Sequence, residues 1–562
     1  MEVSKFRNIT KILIIVVALI ILIILPVISV FSKAVIIDGH FSLSLFFEAL
    51  FKLENLKTIG NSLLLGLLVA LLSTLIATPL AFILSRTKYS KSKALDIILL
   101  IPFMTPPYIS SMGWISFIQR NGLFEQLIPF TGHSIEGLFS LFGLVLIMSL
   151  HVFPFLTTLL KNAILNIGPS IDESAKVCGG GFFYRLRRIT FPLLTGNYAI
   201  GLLLVFIKTL SEYGTPATFG YRIGFKVFTT DIHDYATIAP INFSLASSLS
   251  SVLVIICMIL WLVQSKITEK KTYKLLGGKG AKRTIYNNKI VNILSTIYLI
   301  IIIILAIVIP YFSIISTSLI NVKTSGLRFD NLTFDNYIYL FNSRGSLNAI
   351  KTSTLMALIS ATISSLFALI LVLLLRKNKK IKKPLMAIAT LPEMIPNIVL
   401  VLGLMIFWNT IYNIIPVYNT NIFMALVYIV MFLPYGIQYI SNSFMQINDS
   451  LFNAGRVCGA KKFYLTIKII LPLIFKGILF GWMMIFIIVF RELVASSLVS
   501  PLGTRTISTY IVSQFNQGEV GVGMAMAVVC VLISTSALIL LNIFSNKSVK
   551  YEKNKWNWKY CY

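Results

Sequence analysis

Few side chains in this sequence of 562 residues are placed to do chemistry, and the most notable are charges beside long apolar runs. Lys208 and Glu212 lie at the end of one run, four residues apart and therefore on one helical face. Arg491 and Glu492 end another run, where Glu492 follows Glu212 by 280 residues. Ionisable groups near a bilayer core are costly and usually face a cavity or a partner. The matched carboxylates therefore predict either the lining of a translocation path or helix-end charges that pair with Lys208 and Arg491.

The sequence contains no constellation of catalytic side chains. The four histidines, at positions 40, 133, 151 and 233, are scattered and lack metal-ligand spacing. The apolar stretch around His151 favours a packed histidine over a ligand. The stretch Gly277-Gly278-Lys279-Gly280 lacks the spacing of a phosphate-binding loop, and no buried strand precedes it. We therefore expect a chain that is not an enzyme, holds no metal and binds no cofactor of its own.

One polar segment occurs twice. Glu173-Ser174-Ala175-Lys176-Val177-Cys178-Gly179 recurs 280 residues later as Asn453-Ala454-Gly455-Arg456-Val457-Cys458-Gly459. Both copies lie in basic loops between apolar runs, over residues 167–194 and 447–474. The positions of interest in the first copy are Glu173, Ser174, Ala175, Gly179, Ile189 and Pro192, and those in the second are Asn453, Ala454, Gly455, Gly459, Ile469 and Pro472.

Each copy is typical of two short helices that meet at a glycine. Gly179 and Gly459 allow the left-handed backbone that a sharp corner requires. The small residues before the corner would let another surface approach closely. Pro192 and Pro472 suit the first turn of the next helix, where a missing N–H is tolerated. The alternative is a re-entrant loop that recurs only because the gene duplicated, but two matched loops on one membrane face suit a two-fold partner.

The composition indicates that the apolar runs between these loops lie in a membrane. Hydrophobic residues make up 57% of the chain and charged residues only 12%, and runs of about 20 apolar residues are what a spanning helix needs. We predict twelve spans, at about 11–32, 59–85, 95–118, 137–160, 196–213, 245–264, 291–316, 349–375, 384–410, 421–442, 473–490 and 520–545. Proline pairs, Pro102 with Pro106 and Pro392 with Pro396, should kink the third and ninth spans, either beside a pore or as ordinary packing kinks.

The net charge of +29 is a topology signal and not a sign of nucleic acid binding. Most Lys and Arg residues lie at the two termini and in alternate loops, such as 86–93, 185–188, 266–289 and 376–383. Cytoplasmic loops attract such charge, so both termini are expected in the cytoplasm. None of the five cysteines, at positions 178, 257, 458, 530 and 561, falls in a predicted external loop, so we expect no external disulfide.

The internal repeat extends well beyond the two loops. Pro102 and Pro106 align with Pro392 and Pro396 at an offset of 290, and Glu212 aligns with Glu492 at an offset of 280. We therefore predict an all-α polytopic membrane protein with two tandem six-helix halves in the same orientation. The first half spans 1–264, a basic cytoplasmic linker follows over 265–290, the second half spans 291–546, and 547–562 is a basic-aromatic tail at the inner membrane surface.

The repeated loop resembles the signature of binding-protein-dependent ABC importer permeases, which reads Glu-Ala-Ala, three residues, Gly, nine residues, Ile, one residue, Leu-Pro. The first copy fits with two substitutions, and the second has Asn453 and Gly455 in place of the Glu and the second Ala. The single chain with both halves is similar to iron(III) importer permeases. Glu212-Tyr213-Gly214-Thr215-Pro216-Ala217 and Phe490-Arg491-Glu492-Leu493-Val494-Ala495 resemble segments found there. Fused permeases for thiamine look similar, and permeases for phosphonates or polyamines are relatives.

The resemblance implies partners. Each loop would form a coupling helix in a groove of an ATPase subunit, and two copies of that subunit, which bind ATP and magnesium, would drive the two permease halves between inward-open and outward-open states. An extracytoplasmic binding protein would deliver the substrate at the bacterial inner membrane, and membrane lipid would surround the spans. Asn453 puts in doubt any salt bridge that the family's Glu makes in the second loop.

Two other classes remain as alternatives. A secondary transporter with two sets of six spans would share the repeat and the basic linker. It would need intramembrane acidic residues for ion coupling, which are few here, and it would have no use for a glycine-cornered loop in both halves. A membrane-embedded enzyme would need clustered His, Asp, Ser or Cys side chains near one face.

Overall fold

A computed structural model gives the architecture of the chain. It describes residues 2–37, 40–128, 135–167, 171, 174–175, 177–270, 288–321, 326–376, 379–461 and 464–555. Nearly all of them are helical, as the sequence predicts. The predicted linker falls largely at 271–287, outside the described residues, and the helix Phe243–Lys270 extends into its first residues. The helix Val520–Lys555 continues through the start of the predicted tail at 547.

Within the described residues, ten helices are long and apolar enough to cross a membrane, and two bent helix pairs raise the number to as many as twelve. The prediction of about twelve spans is confirmed in that form. The ten are Ile12–Val35, Leu53–Arg86, Leu141–Asn166, Leu186–Ser211, Phe243–Thr268, Lys289–Leu319, Arg344–Leu375, Asn421–Met445, Leu465–Phe490 and Val520–Ala537.

The third and ninth predicted spans, over 95–118 and 384–410, are helices broken by a sharp bend, where the sequence predicts a kink. Lys93–Met104 and Pro107–Ile118 meet at 89°, and Ile381–Glu393 and Asn397–Thr410 meet at 104°. The second proline of each pair explains the break. A residue before proline avoids helical backbone, and Thr105 accordingly has a ψ of 139°. The prolines therefore do more than kink these helices.

Four other prolines follow a wide, π-helical turn. Pro26, Pro192, Pro310 and Pro472 each lie two residues after such a turn, which covers Ile20–Ile24, Leu186–Thr190, Ile304–Val308 and Leu465–Ile470 respectively. Proline cannot donate to the carbonyl four residues back, and its ring crowds that carbonyl. A wider turn relieves both problems. Pro192 and Pro472 consequently lie inside helices that begin at Leu186 and Leu465, earlier than the predicted starts at 196 and 473.

The chain forms two compact units, one of residues 1–36 with 337–562 and the other of residues 37–336. In the first unit, the helix Leu25–Val35 packs against Asn397–Thr410. In the second unit, Ile309–Leu319 packs against Pro107–Ile118 in the same way. The compact units therefore differ from the predicted halves over 1–264 and 291–546, because the first span of each half packs in the unit of the other half. The boundaries of the repeat itself stay a prediction.

Shorter elements connect the spans. The short helices are Ser44–Phe51, Leu123–Leu127, Phe182–Arg185, Phe228–Thr237, Asp335–Asn342, Asp449–Val457, Val494–Val499 and Ile507–Gln517. Single helical turns cover Lys88–Lys91, Glu136–Leu138, Pro216–Gly220, Tyr221–Ile223 and Phe329–Asn331. Two strands of two residues, Ile36–Ile37 and His40–Phe41, complete the described elements.

Candidate functional site

The first repeated loop turns at Gly179. A helical turn precedes it, in which the Cys178 amide donates to the Ser174 carbonyl at 3.0 Å. Gly179 has a φ of +78°, and the Gly180 amide then donates back to the Ala175 carbonyl at 2.9 Å. This is the hydrogen-bond pattern of a helix that ends on a left-handed glycine and reverses direction. The predicted corner at Gly179 is confirmed.

The second loop repeats that geometry at Gly459, which also has a φ of +78°. The Cys458 amide donates to Ala454 and the Ala460 amide donates to Gly455, both at 3.0 Å. The helix Asp449–Val457 leads into this corner, and the Asn448 side chain accepts from the Ser450 amide at its start. The two corners therefore share one backbone structure. Asn453 occupies the position of Glu173, which lies outside the described residues.

The tip of each corner presents an apolar side chain to the surroundings. Val177 is 88% exposed and Val457 is 89% exposed, and Cys178 and Cys458 beside them are exposed as well. An apolar side chain so exposed at the end of a loop helix buries little surface within its own chain. The prediction from small residues did not single out the valines. Their identity in both copies, within otherwise polar loops, was the available signal.

One of the predicted small residues, Gly455, is approached closely by its own loop. A Cβ at Gly455 would lie 2.4 Å from Leu465 Cδ2 and 3.4 Å from Ile469 Cδ1. Gly455 therefore allows the two arms of its own loop to pack together. Asn453, Ala454 and Ser174 are exposed, whereas Ala175, Ile189 and Ile469 are half-buried, and Pro192 and Pro472 are exposed. In the second loop, the closely approached surface belongs to the chain itself.

The charges at the span ends do not form the predicted helical pair. The helix that carries Lys208 ends at Ser211, so Glu212 has extended backbone with a ψ of 131°. Lys208 Nζ lies 5.7 Å and 5.5 Å from the ring centres of Phe103 and Phe155. This cation–π contact joins the fifth span to the first arm of the broken third span and to the fourth-span helix.

The two predicted glutamates instead accept backbone hydrogen bonds from the segments that follow them. Both carboxylate oxygens of Glu212 accept from the Thr215 amide, at 3.2 and 3.0 Å. Glu492, which is buried, accepts from the amides of Val494 at 2.8 Å and Ala495 at 2.9 Å. Carboxylates stabilise the free N–H groups at the start of a helix in this way. The helix-end interpretation therefore has direct geometric support, while a role in a translocation path stays a prediction.

The segment after Glu212 packs back against its own unit. Thr229 Oγ1 donates to the Glu212 carbonyl at 2.8 Å. Asp231 is buried, accepts from Thr58 Oγ1 at 2.6 Å and lies 3.6 Å from Lys226 Nζ. Burial raises the pKa of Asp231, and the bonds from Thr58 and Lys226 act in the opposite direction. The helix Phe228–Thr237 is thus tied both to Glu212 and to the span Leu53–Arg86.

Two further side chains near the proline pairs make packing and hydrogen-bond contacts, as the sequence favours for His151. His151 stacks on Phe103, with ring centres 5.9 Å apart. Glu393, which occupies the position of Phe103 in the second half, accepts a short hydrogen bond from Gln438 Nε2. In the part of the chain that the structure describes, no three His, Cys, Asp or Glu side chains lie close enough to hold a metal ion.

Comparison with known proteins agrees with a chain of two related halves. A family model described as a binding-protein-dependent transport system inner membrane component matches residues 75–268 and again residues 360–550. Ferric transport system permease protein FbpB of Actinobacillus pleuropneumoniae is 24% identical over 498 residues, which cover 86% of this chain and 71% of the relative. Fe(3+)-transport system permease protein FbpB 2 of Haemophilus influenzae is 23% identical over 510 residues, covering 89% and 92%. Sulfate transport system permease protein CysT of Salmonella typhimurium is 22% identical, covering 32% of this chain and 65% of the relative.

Proposed function

The chain belongs to the binding-protein-dependent transport system inner membrane components, and from this premise we propose that it is the permease of an iron(III) importer driven by a separate ATPase. It is a multi-pass membrane protein and a transporter component, so the secondary-transporter and membrane-enzyme alternatives are set aside. The observation that carries the coupling role is the pair of identical corners at Gly179 and Gly459.

Each corner would be held by one ATPase subunit. The exposed Val177 and Val457 would enter apolar grooves, because fully exposed valines at a loop tip gain most from being covered. Two hydrogen bonds close each corner and make its backbone stiff. A stiff corner can transmit a movement of the ATPase to the span that follows. Two such corners imply two ATPase copies, with ATP and magnesium bound there and not in this chain.

The substrate proposal follows from the extent of the similarity. Relatives whose names specify ferric transport align with both halves, over 75–89% of this chain. Relatives named for sulfate or molybdenum align over about a third of it, the length of a single half. A fused pair of halves therefore accompanies the ferric relatives. The segments after Glu212 and Glu492 support the same substrate, since they resemble segments of iron(III) permeases. The proposal does not require either carboxylate to be an iron ligand.

The arrangement in the membrane completes the proposal. The basic loops favour a cytoplasmic position for the corners and both termini of a chain in the bacterial inner membrane. The external segments are short, so an extracytoplasmic binding protein would capture the substrate and dock on the outer face. Thiamine, phosphonate or polyamine import is the second candidate, supported by the resemblance of those permeases in sequence.

Two experiments test the substrate proposal and the coupling proposal separately. A strain that lacks the gene is given radiolabelled iron(III), thiamine and a phosphonate side by side, and a plasmid copy serves as the rescue control. We expect iron uptake alone to fall and to recover with the plasmid. If uptake of another compound falls instead, the substrate proposal is wrong. Purification of the complex tests the coupling proposal separately, because a chain that hydrolyses ATP without a partner, or binds a single ATPase, contradicts it.

A further inference from the structure

A cavity of about 210 Å³ lies between three helices of the second compact unit, Leu53–Arg86, Lys93–Met104 and Leu141–Asn166. Its volume equals that of about seven liquid waters, which is enough for a small polar group. One side is apolar, formed by Leu84, Leu99 and Pro154, and the other side is polar, formed by Asp96, Thr157 and Lys161. A cavity with two such walls suits a ligand with a charged end and an apolar end.

The polar wall holds an ion pair whose hydrogen-bonding groups are not all used by the residues that the structure describes. Lys161 Nζ lies 2.5 Å from Asp96 Oδ1, and the side chains are 15% and 40% exposed. An ammonium group has three N–H donors and a carboxylate has two oxygens, so one bond leaves donors on Lys161 and the second oxygen on Asp96. A ligand that carries an anion and an ammonium group can bond to both without breaking the pair.

Thr157 adds a buried hydroxyl to the same wall. The residue is 3% exposed and lines the cavity, and its hydroxyl has no hydrogen-bond partner among the residues that the structure describes. A buried polar group without a partner destabilises the fold, so such groups usually meet a water or a ligand. An oxyanion bound by Lys161 would also accept a hydrogen bond from this hydroxyl.

The second half of the sequence has no equivalent of this wall. At the repeat offsets, Met386 replaces Asp96, Ile437 replaces Thr157 and Ser441 replaces Lys161. The charges and the hydroxyl are therefore not required by the fold that the two halves share. They are a property of the first half alone.

We propose that this cavity binds a phosphoethanolamine group, with the phosphate on Lys161 and Thr157 and the ammonium on Asp96. The cavity lies at headgroup depth, since Leu84 is two residues from the end of its helix and Asp96 is in the first turn of the next. Lys88 and Lys91 in the turn between them mark the edge of the bilayer. The group can come from an aminophospholipid, whose chains would follow the apolar wall, or from a soluble compound of the same chemistry.

Native mass spectrometry of the full-length chain tests the proposal. The chain is titrated with phosphatidylethanolamine, phosphatidylcholine, phosphatidylglycerol and free phosphoethanolamine. We expect one tight phosphatidylethanolamine per chain, and weaker binding of phosphatidylcholine, whose ammonium cannot donate. Thr157→Val should weaken binding about fivefold, as the loss of one hydrogen bond does. Lys161→Gln and Asp96→Asn should weaken it at least about tenfold, because charged bonds are stronger.

Control variants distinguish loss of binding from loss of folding. Ser441→Ala changes the equivalent position of the second half and should leave binding unchanged. Thr157→Val leaves the ion pair intact, so it remains informative if a charge variant fails to fold. If free phosphoethanolamine competes with the lipid for the cavity, the ligand has a soluble source. If it does not compete, the ligand is the lipid headgroup. Equal binding of phosphatidylethanolamine and phosphatidylcholine, or undiminished binding in Thr157→Val and Lys161→Gln, would overturn the proposal.

Discussion

Gly113 lies directly against the backbone of Pro310, so that a Cβ at Gly113 would be 2.7 Å from the Pro310 carbonyl oxygen. The first unit repeats the relationship, since a Cβ at Gly403 would be 2.5 Å from the carbonyl oxygen of Pro26. Gly403 follows Gly113 by the repeat offset of 290. Close backbone approach at small residues is how membrane helices gain packing energy in the absence of water. These two contacts are where the first span of one half packs on the broken span of the other half.

We expect Gly113→Ala and Gly403→Ala each to destabilise the protein by about 1–3 kcal/mol, because the added methyl group meets rigid backbone and one of the helices must move. Thermal unfolding of the purified chain in a nanodisc is the measurement. Gly60→Ala is the matched control, since its Cβ would meet nothing within 4 Å. Equal unfolding midpoints for all three variants would contradict the tight packing.

The corners at Gly179 and Gly459 could be predicted because local sequence determines them. A helix end, a glycine and two closing hydrogen bonds all lie within a few residues, so no distant contact is needed. The number of spans follows equally from the length of the apolar runs. The wide turns before Pro192 and Pro472 were predictable in principle, since a proline in a helix must be accommodated locally. The predicted helix starts were wrong because the two prolines were assigned to the first turn of each helix, whereas the helices begin before them.

The remaining features depend on pairings that a sequence pattern does not specify. The right-angle break at Pro106 needs a neighbour that supports the second arm, here the helix Ile309–Leu319, which comes 200 residues later in the sequence. The spacing of Lys208 and Glu212 predicted a helical pair, but the helix ends between them. The carboxylate of Glu212 then contacts amides of the segment that follows, whose course was not evident from composition.

The corners themselves should not tolerate a β-branched residue. Gly179→Val and Gly459→Val have space for the side chain, since nothing lies within 4 Å of either Cβ, but the φ of +78° is strained by about 1–3 kcal/mol. We expect normal membrane insertion and loss of ATPase co-purification. Gly181→Val is the control, because Gly181 has equal space without the left-handed backbone, and Lys461 occupies its position in the second copy. Retained co-purification and uptake in both corner variants would refute the prediction.

The exposed thiols at the corners report whether an ATPase covers them. In a Cys561→Ser background, a bulky maleimide should label Cys178 and Cys458, which are exposed, and should not label Cys257 and Cys530, which are buried. Addition of the ATPase should protect both exposed thiols if one subunit holds each corner. Protection of one thiol alone would indicate a single ATPase, and unchanged labelling of both would contradict docking at the corners.

His233 should make the protein less stable in acid. Burial lowers its pKa to about 4, and its ring stacks on Tyr213 with centres 4.7 Å apart. The folded chain thus favours the neutral ring, whereas the unfolded chain binds a proton near pH 6.5. This contribution to stability is complete above pH 6.5 and is lost as the pH falls towards 4, by about 1–3 kcal/mol.

The measurement is thermal unfolding between pH 8 and pH 4, in the original chain and in His233→Phe, which keeps the stacking but cannot titrate. The raised pKa of Asp231 has the opposite effect, but both chains contain it, so the difference between them isolates His233. Parallel pH profiles would show that His233 does not contribute.

The last prediction distinguishes the two interpretations of Glu212 and Glu492. If each carboxylate serves as a helix-end acceptor, Glu→Ala at either position should cost about 1–2 kcal/mol of stability. Glu→Gln should cost less, because the amide oxygen still accepts from the Thr215 or Val494 amide. Iron uptake should then follow the stability of each variant. If the charge instead serves a translocation path, the double Glu→Gln variant should lose uptake while its unfolding midpoint stays near that of the original chain. Glu519→Gln, an exposed position after a short helix of the first unit, is the control for removal of a negative charge at the protein surface.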